Sequence, residues 1–251
     1  MGMFRERMVV LFTDFGVTGP YVGQMKAVIN SIAPLSSVID LFADAPSFAP
    51  IAAGHLLAAY TGEFAAGTVF LCVVDPGVGS DSRRPIVAEI DGCYFVGPDN
   101  GLFDVVAKRA CFASKRVITW QPPRLSHTFH GRDLFAPLAA KIATKSVPQD
   151  WLGDAEPFDL SDVPDELAQV IYIDGFGNVM TGITGATLNH DQSIEVGDKQ
   201  FTWARTFADV ERGAPFWYEN ANGLVEIAVN CGNAAALLSL SLGDEVRVVN
   251  P

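Results

Sequence analysis

A chain of 251 residues, 49% of them hydrophobic, holds material for one large domain or two smaller ones with real cores. Its net charge of −12, with no basic cluster, excludes a nucleic-acid backbone as partner and disfavours anionic membrane surfaces. The four cysteines (72, 93, 111 and 231) form no C-x-x-C pair, which points to a reducing, cytoplasmic compartment without a disulfide framework or structural zinc.

In chain order, Arg5 and Arg7 precede the apolar run Met8 to Phe12, which is too short for a signal peptide. No run elsewhere could span a bilayer, and Glu6 stands where a myristoylation signal beginning at Gly2 would want Ser or Thr. Met8 to Phe12 reads as a buried strand ending in Thr13-Asp14-Phe15-Gly16. Val22, Met25, Val28, Ile29 and Ile32 then recur at helical spacing until Pro34 stops the helix. Ser37 to Phe42 is a second strand, followed by a loop with Pro46, Phe48 and Pro50 and an Ala/Leu-rich helix from Ile51 to Tyr60 closed by Gly62.

The next strand, Val69 to Val74, organises what surrounds it. It stops at Asp75-Pro76-Gly77-Val78-Gly79, because Pro76 has no N–H to continue a ladder. The strand therefore delivers one carboxylate to its carboxyl end, as the first strand delivers Asp14, and ligands of open α/β sheets sit at that edge. Arg83 and Arg84 follow closely. Pro85 to Asp91 and Cys93 to Val96 form a hairpin around Gly92, then comes the turn Gly97-Pro98-Asp99-Asn100-Gly101. Leu102 to Arg109 reads as a helix and Arg116 to Trp120 as a strand, and Ser126-His-Thr-Phe-His130-Gly-Arg-Asp133 opens a helix from Leu134 to Ala143.

This alternation predicts an N-terminal α/β layered domain over residues 1–150 with a largely parallel sheet. Residues 151–166, rich in Asp and Pro, read as a linker. Beyond it helices vanish and short strands recur: Gln169 to Ile173, Asn178 to Gly182, Ser193 to Val196, Phe216 to Tyr218, Leu224 to Val229 and Glu245 to Val249. Residues 167–251 therefore read as an all-β barrel domain.

Single constellations decide little. His127, His130 and Asp133 suit a divalent ion, but no third imidazole stands at useful spacing, so no metal site is expected. Ser126 lacks a nucleophile-elbow signature, and the glycines after Asp75 match neither phosphate-binding fingerprint.

Taken together and in order, T-D-F-G (13–16), V-D-P-G-V-G (74–79), G-P-D-N-G (97–101), T-F-H-G-R-D (128–133), I-D-G-F-G-N-V (173–179) and G-L-V-E-I-A-V (223–229) are specific. They resemble the S-adenosyl-L-methionine (SAM) hydrolases, or SAM hydroxide adenosyltransferases, relatives of SAM-dependent fluorinases and chlorinases, over nearly the whole chain. The resemblance implies a homotrimer binding SAM between the N-terminal domain of one subunit and the C-terminal domain of its neighbour, with no cofactor. It implies a water-holding trio of Asp75, Arg83 and His130, with Arg84 as the alternative because the loop after the Asp is one residue longer than in many relatives. It further implies Asp14 on the ribose hydroxyls, Asn178 beside adenine, Asp174 facing the methionine ammonium, and Glu226 and Val229 against the adenosine. Phe48, Phe176 and Phe207 fall at or beside ring-bearing pocket positions. Ala221-Asn222 replaces a Ser-Ser or Ser-Arg pair, so Asn222 stands at a methionine-binding position without the expected hydroxyl neighbour. Two other readings stay open: a SAM or adenosine binding protein with little turnover, and a halide adenosyltransferase. The second is disfavoured, because halide-using relatives carry Tyr at the Asp75 position and lack the histidine.

Overall fold

The structure is a computed structural model that describes residues 6–80 and 83–251. Gly2, Arg5, Asp81 and Ser82 lie outside the described residues. The chain divides into two compact units, the first ending at Val163 and the second beginning at Pro164.

The first unit contains, in order, β1 (Val9–Thr13), α1 (Tyr21–Ile32), β2 (Val38–Phe42), α2 (Pro50–Tyr60), β3 (Val69–Val73), β4 (Pro85–Ile90) and β5 (Cys93–Pro98). Then come α3 (Asp104–Arg109), β6 (Ala113–Ile118), α4 (Ala136–Ala143) and β7 (Leu152–Glu156). Seven strands form one sheet in the order β2-β1-β3-β5-β4-β6-β7. β1 and β3 are buried at every position, which is why they read as unbroken apolar runs rather than alternating ones. One face carries α1 and α4 over a core that includes Leu11, Val69, Leu71, Val96 and Leu138. Elsewhere in the core Phe70 stacks on Phe95 with centroids 4.7 Å apart, and Phe103 tilts against Phe95 at 5.7 Å.

The sheet is mixed, which corrects the largely parallel expectation. β2, β1, β3 and β5 run parallel, but β4 pairs antiparallel with both β5 and β6, and β6 with β7. The cause is the tight Asp91-Gly92 turn, with φ of 45° and 78°, which folds β4 straight back onto β5. The stretch read as a linker contributes β7 to the sheet's edge.

The second unit is mostly β: β8 (Leu167–Ile173), β9 (Val179–Thr184), β10 (Ser193–Val196), β11 (Lys199–Phe201), β12 (Pro215–Glu219), β13 (Leu224–Val229) and β14 (Val246–Val249). They form a four-stranded sheet, β12-β13-β9-β8, and a three-stranded one, β11-β10-β14. Between these sheets run only the isolated bridges Gln169↔Glu245 and Trp203↔Trp217, so the described strands do not make the one continuous barrel sheet expected. β11 and β14, at 3 and 4 residues, are too short to extend a ladder across the gap. A short helix, α5 (Ala234–Leu238), also departs from the all-β expectation; the Asn233 side chain caps it by accepting from Ala236 N–H at 2.8 Å.

No helix among the described residues is long and apolar enough to cross a membrane. Cys72 and Cys93 are buried, Cys111 and Cys231 exposed, and all four are free.

Candidate active site

β1 and β3 are parallel neighbours paired from Val9↔Val69 to Thr13↔Val73, so Asp14 and Asp75 emerge at the same sheet edge. Asn100 donates to the carbonyl of Val74 at 2.9 Å, tying the G-P-D-N-G turn to the end of that strand. Gly79 has φ +80°, and a Cβ there would lie 2.5 Å from the His127 carbonyl oxygen. Glycine thus lets the Asp75 loop press against the loop carrying His130. His130 itself starts a π-helical turn, Gly131–Phe135, that leads into α4. Asp133 steadies this loop by accepting from Ser126 N–H at 2.9 Å, with Arg132 Nε against its other oxygen at 2.6 Å.

Arg83 joins the two loops. Its Nε donates to Asp75 Oδ1 at 3.0 Å, its Nη2 pairs with Asp75 Oδ2, and Nη2 also lies 2.9 Å from His130 Nδ1. The arginine is 9% exposed, and its guanidinium lies 5.7 Å from the Phe135 ring centroid. Arg84 points elsewhere: it is paired with Asp99 at 2.8 Å and Glu156 at 2.6 Å. Of the two arginines, the structure sets Arg83 against Asp75.

The Arg83–His130 contact fixes a tautomer by elimination. A guanidinium only donates, so Nδ1 must accept, and the ring is neutral with its proton on Nε2. Electrostatics agree: burial first and the Arg83 charge second hold His130 below its ordinary value, against a weaker upward pull from Asp75 and Asp133. Burial also pushes the Asp14 carboxyl up, opposed by the Phe48 N–H that donates to Asp14 Oδ2 at 3.4 Å and reinforced by the Asp75 charge.

Asp14, Phe48, Asp75 and His130 line a single cleft of about 420 Å³. Sequence reasoning missed Tyr21, Thr128 and Phe129 on its walls; Tyr21 and Phe129 stack edge-on at 5.2 Å, and both meet Phe15. Their signal was the aromatic content of the T-D-F-G and T-F-H-G-R-D motifs themselves. Among the described residues no group of three or more His, Cys, Asp or Glu could hold a metal ion.

The second unit carries its own cluster. Asp174 Oδ1 accepts the N–H groups of Phe176 (2.9 Å) and Asn178 (2.8 Å), and Asp174 Oδ2 accepts from Asn178 Nδ2 at 3.2 Å. Glu226 is buried and accepts from Tyr218 O–H and from Asn220 Nδ2 at 2.8 Å, with Asn178 also bonded to it. Burial pushes the Glu226 carboxyl up while these donors pull it down, and burial with Glu226's proximity raises Tyr218. With its amino group engaged by two carboxylates, Asn178 keeps its amide oxygen as the acceptor for a ligand.

Phe207 packs edge-on against Tyr218 at 5.5 Å, and Asn222 reaches the cluster only through its backbone, donating to Asn220 Oδ1 at 2.9 Å. Val229 lies in the hydrophobic core rather than at this cluster. Tyr218 and Asn220 were missed; Tyr218 stands directly opposite Glu226 across the β12–β13 pair.

Comparison with known proteins completes the description. Residues 9–151 match the SAM hydroxide adenosyltransferase N-terminal domain and residues 168–247 its C-terminal domain. The chain is 36% identical to an (R)-S-adenosyl-L-methionine hydrolase from Salinispora arenicola, covering 94% of this chain and 95% of the relative. It is also 36% identical to one from Thermus thermophilus, covering 97% and 100%. A crystal structure of an uncharacterized conserved protein from Thermotoga maritima superposes with TM-score 0.84 at 36% identity, covering 97% of this chain and 100% of that one.

Proposed function

Because this chain belongs to the SAM hydroxide adenosyltransferase family, we propose that it hydrolyses S-adenosyl-L-methionine at ribose C5′, giving adenosine and L-methionine. Water oxygen bonds to C5′ as the C5′–S bond breaks, the electron pair goes to sulfur, and one proton is released. Methionine leaves as a neutral thioether, so no general acid is required. The difficulty lies in the nucleophile, and the buried Asp75–Arg83–His130 cluster is the observation that carries this reading.

Each member of the cluster has a task. Arg83 holds Asp75 and His130 at one point, so the water is bound in attack geometry rather than met by collision. Asp75 accepts a water proton, and the His130 Nε2–H donates to the water oxygen and fixes its direction. The Arg83 charge stabilises hydroxide character as it develops. Asp14 grips the ribose hydroxyls and thereby aims C5′; Asn178 reads the adenine edge; Asp174, already closing its own turn, shares an oxygen with the methionine ammonium. The four free thiols fit a cytoplasmic location.

The test is chromatography of SAM incubated with pure protein in ¹⁸O-water. Label is expected in the adenosine 5′-hydroxyl, with methionine unlabelled. S-Adenosylhomocysteine as main product, or a bound complex without turnover, would overturn the reading, and 5′-chloro-5′-deoxyadenosine on adding chloride would move the protein to the halide-using branch.

The neutral tautomer has its own consequence. Protonating His130 would place a cation against Arg83, so kcat/KM should rise through an acidic limb lying below pH 6.5 and stay level above it. A limb above pH 6.5 in the pH–rate profile would contradict the assignment.

Assembly is read as a homotrimer in which the first unit of one subunit and the second unit of a neighbour hold one substrate. Phe48 and Phe176, 79% and 80% exposed, supply aromatic surface in each unit for a ligand to cover. Mixing Asp14→Ala chains with Asn178→Ala chains should restore part of the activity, because some sites then receive both native residues. Verified mixed trimers without any recovery would defeat the shared-site arrangement.

A further inference from the structure

A second cleft, of about 250 Å³, lies in the first unit and shares no lining residue with the Asp14 cleft. It lies on the α4 side of the sheet, where that helix runs out. The register places Tyr94, Glu89 and Ser114 in one cross-strand row and Val87 beside Arg116 in the next, and all of them line the cleft. α4 ends at Ala143, so Ile142, Val147 and Leu152 cover these rows only in part and leave an apolar wall.

The charge of this cleft runs against that of the chain. Arg7, Arg116 and Lys145 line it against one carboxylate, Glu89, in a protein of net charge −12. Arg7 is held in place: its Nη1 donates to the Ile142 carbonyl at 3.3 Å, its Nη2 to Tyr94 O–H at 3.4 Å, and its guanidinium sits 4.3 Å from the Tyr94 ring centroid. Arg116 donates to the Gly153 carbonyl at 3.2 Å. Among the described residues neither arginine makes an ion pair, and their acceptors are neutral, which leaves most of their ten N–H donors for another acceptor.

From this juxtaposition we propose that the cleft is a binding site for a small organic carboxylate with an apolar body. The carboxylate bonds the Arg7 and Arg116 guanidinium groups, and the body lies on Ile142, Val147 and Leu152. Glu89 at the same cleft repels a second negative charge, which selects a monocarboxylate over a phosphate dianion.

Calorimetry on the full chain, with adenosine present in saturating amount, uses hexanoate as probe and hexan-1-ol, hexylamine and inorganic phosphate as comparisons. Hexanoate should bind at least tenfold more tightly than each of the others. Arg116→Ala, at an exposed position, should weaken it at least fivefold while kcat and KM for SAM are unchanged; Lys145→Ala serves as a second variant. Phosphate binding as tightly as hexanoate would reduce the site to a plain anion site and overturn the proposal. So would hexanoate binding no better than hexan-1-ol, or binding indifferent to both substitutions. Because the readout is binding rather than turnover, it stands whether or not SAM hydrolysis is confirmed.

Discussion

Asp75→Asn lowers kcat for SAM hydrolysis by about 10²–10⁴-fold, the range for losing a positioned proton acceptor, while calorimetry still records a SAM complex. The amide keeps the shape and one acceptor oxygen but cannot take the water proton. It also leaves Arg83, 9% exposed, without its counter-charge. Breaking a buried pair by removing one partner costs about 3–5 kcal/mol of stability, and the retained acceptor places Asn near the lower end. Arg83→Ala should follow the same pattern in kcat, whereas Arg84→Ala, whose partners are Asp99 and Glu156, should leave turnover within a few-fold of the parent. A kcat for Asp75→Asn within tenfold of the parent would remove Asp75 from the chemistry, and the reverse ranking of the arginines would remove Arg83.

Gly97→Ala has the largest expected effect on stability. A Cβ at Gly97 would stand 2.2 Å from the Cys72 carbonyl oxygen and 3.0 Å from Phe103 Cζ. The nearer atom is backbone of β3, so it cannot swing aside as a side chain would. Overpacking typically costs about 1–3 kcal/mol, and a backbone obstacle puts this case at the top of that range or above it. At roughly 2–4 °C per kcal/mol, Tm should fall by about 6–12 °C in a thermal melt. The substitution also pushes on the strand that delivers Asp75, so residual folded protein should be slow. An unchanged Tm would mean that β3 and β5 do not approach so closely.

The extent to which the sequence foretold this arrangement follows from what each residue reports locally. Val69 to Val74 was legible because a strand buried on both faces has no polar position to interrupt it, and Pro76 marks its end unambiguously. The Asp91-Gly92 turn was legible for the same local reason. Strand direction was not: hydrophobic period says which side is buried, never which neighbour a strand takes, so the antiparallel β4, β6 and β7 looked like any others. Leu152–Glu156 escaped notice because an edge strand is held by backbone bonds and can carry Gly153, Asp154 and Glu156. In the site, Asp14, Asp75 and His130 sat in motifs, but the choice between Arg83 and Arg84 depended on where two adjacent side chains point. The Tyr218–Glu226 pair exists only through register, which no single strand encodes.

The enclosure of the Asp75–Arg83 pair also constrains how such a protein can diverge. A lineage that exchanged Asp75 for a neutral residue would strand a guanidinium in the interior, and one that lost Arg83 first would strand a carboxylate. Each single step passes through a less stable ancestor, while the two changes together are far milder. Descendants that abandoned water as nucleophile would therefore be expected to have altered these positions jointly, or only after stabilising substitutions elsewhere had opened the way.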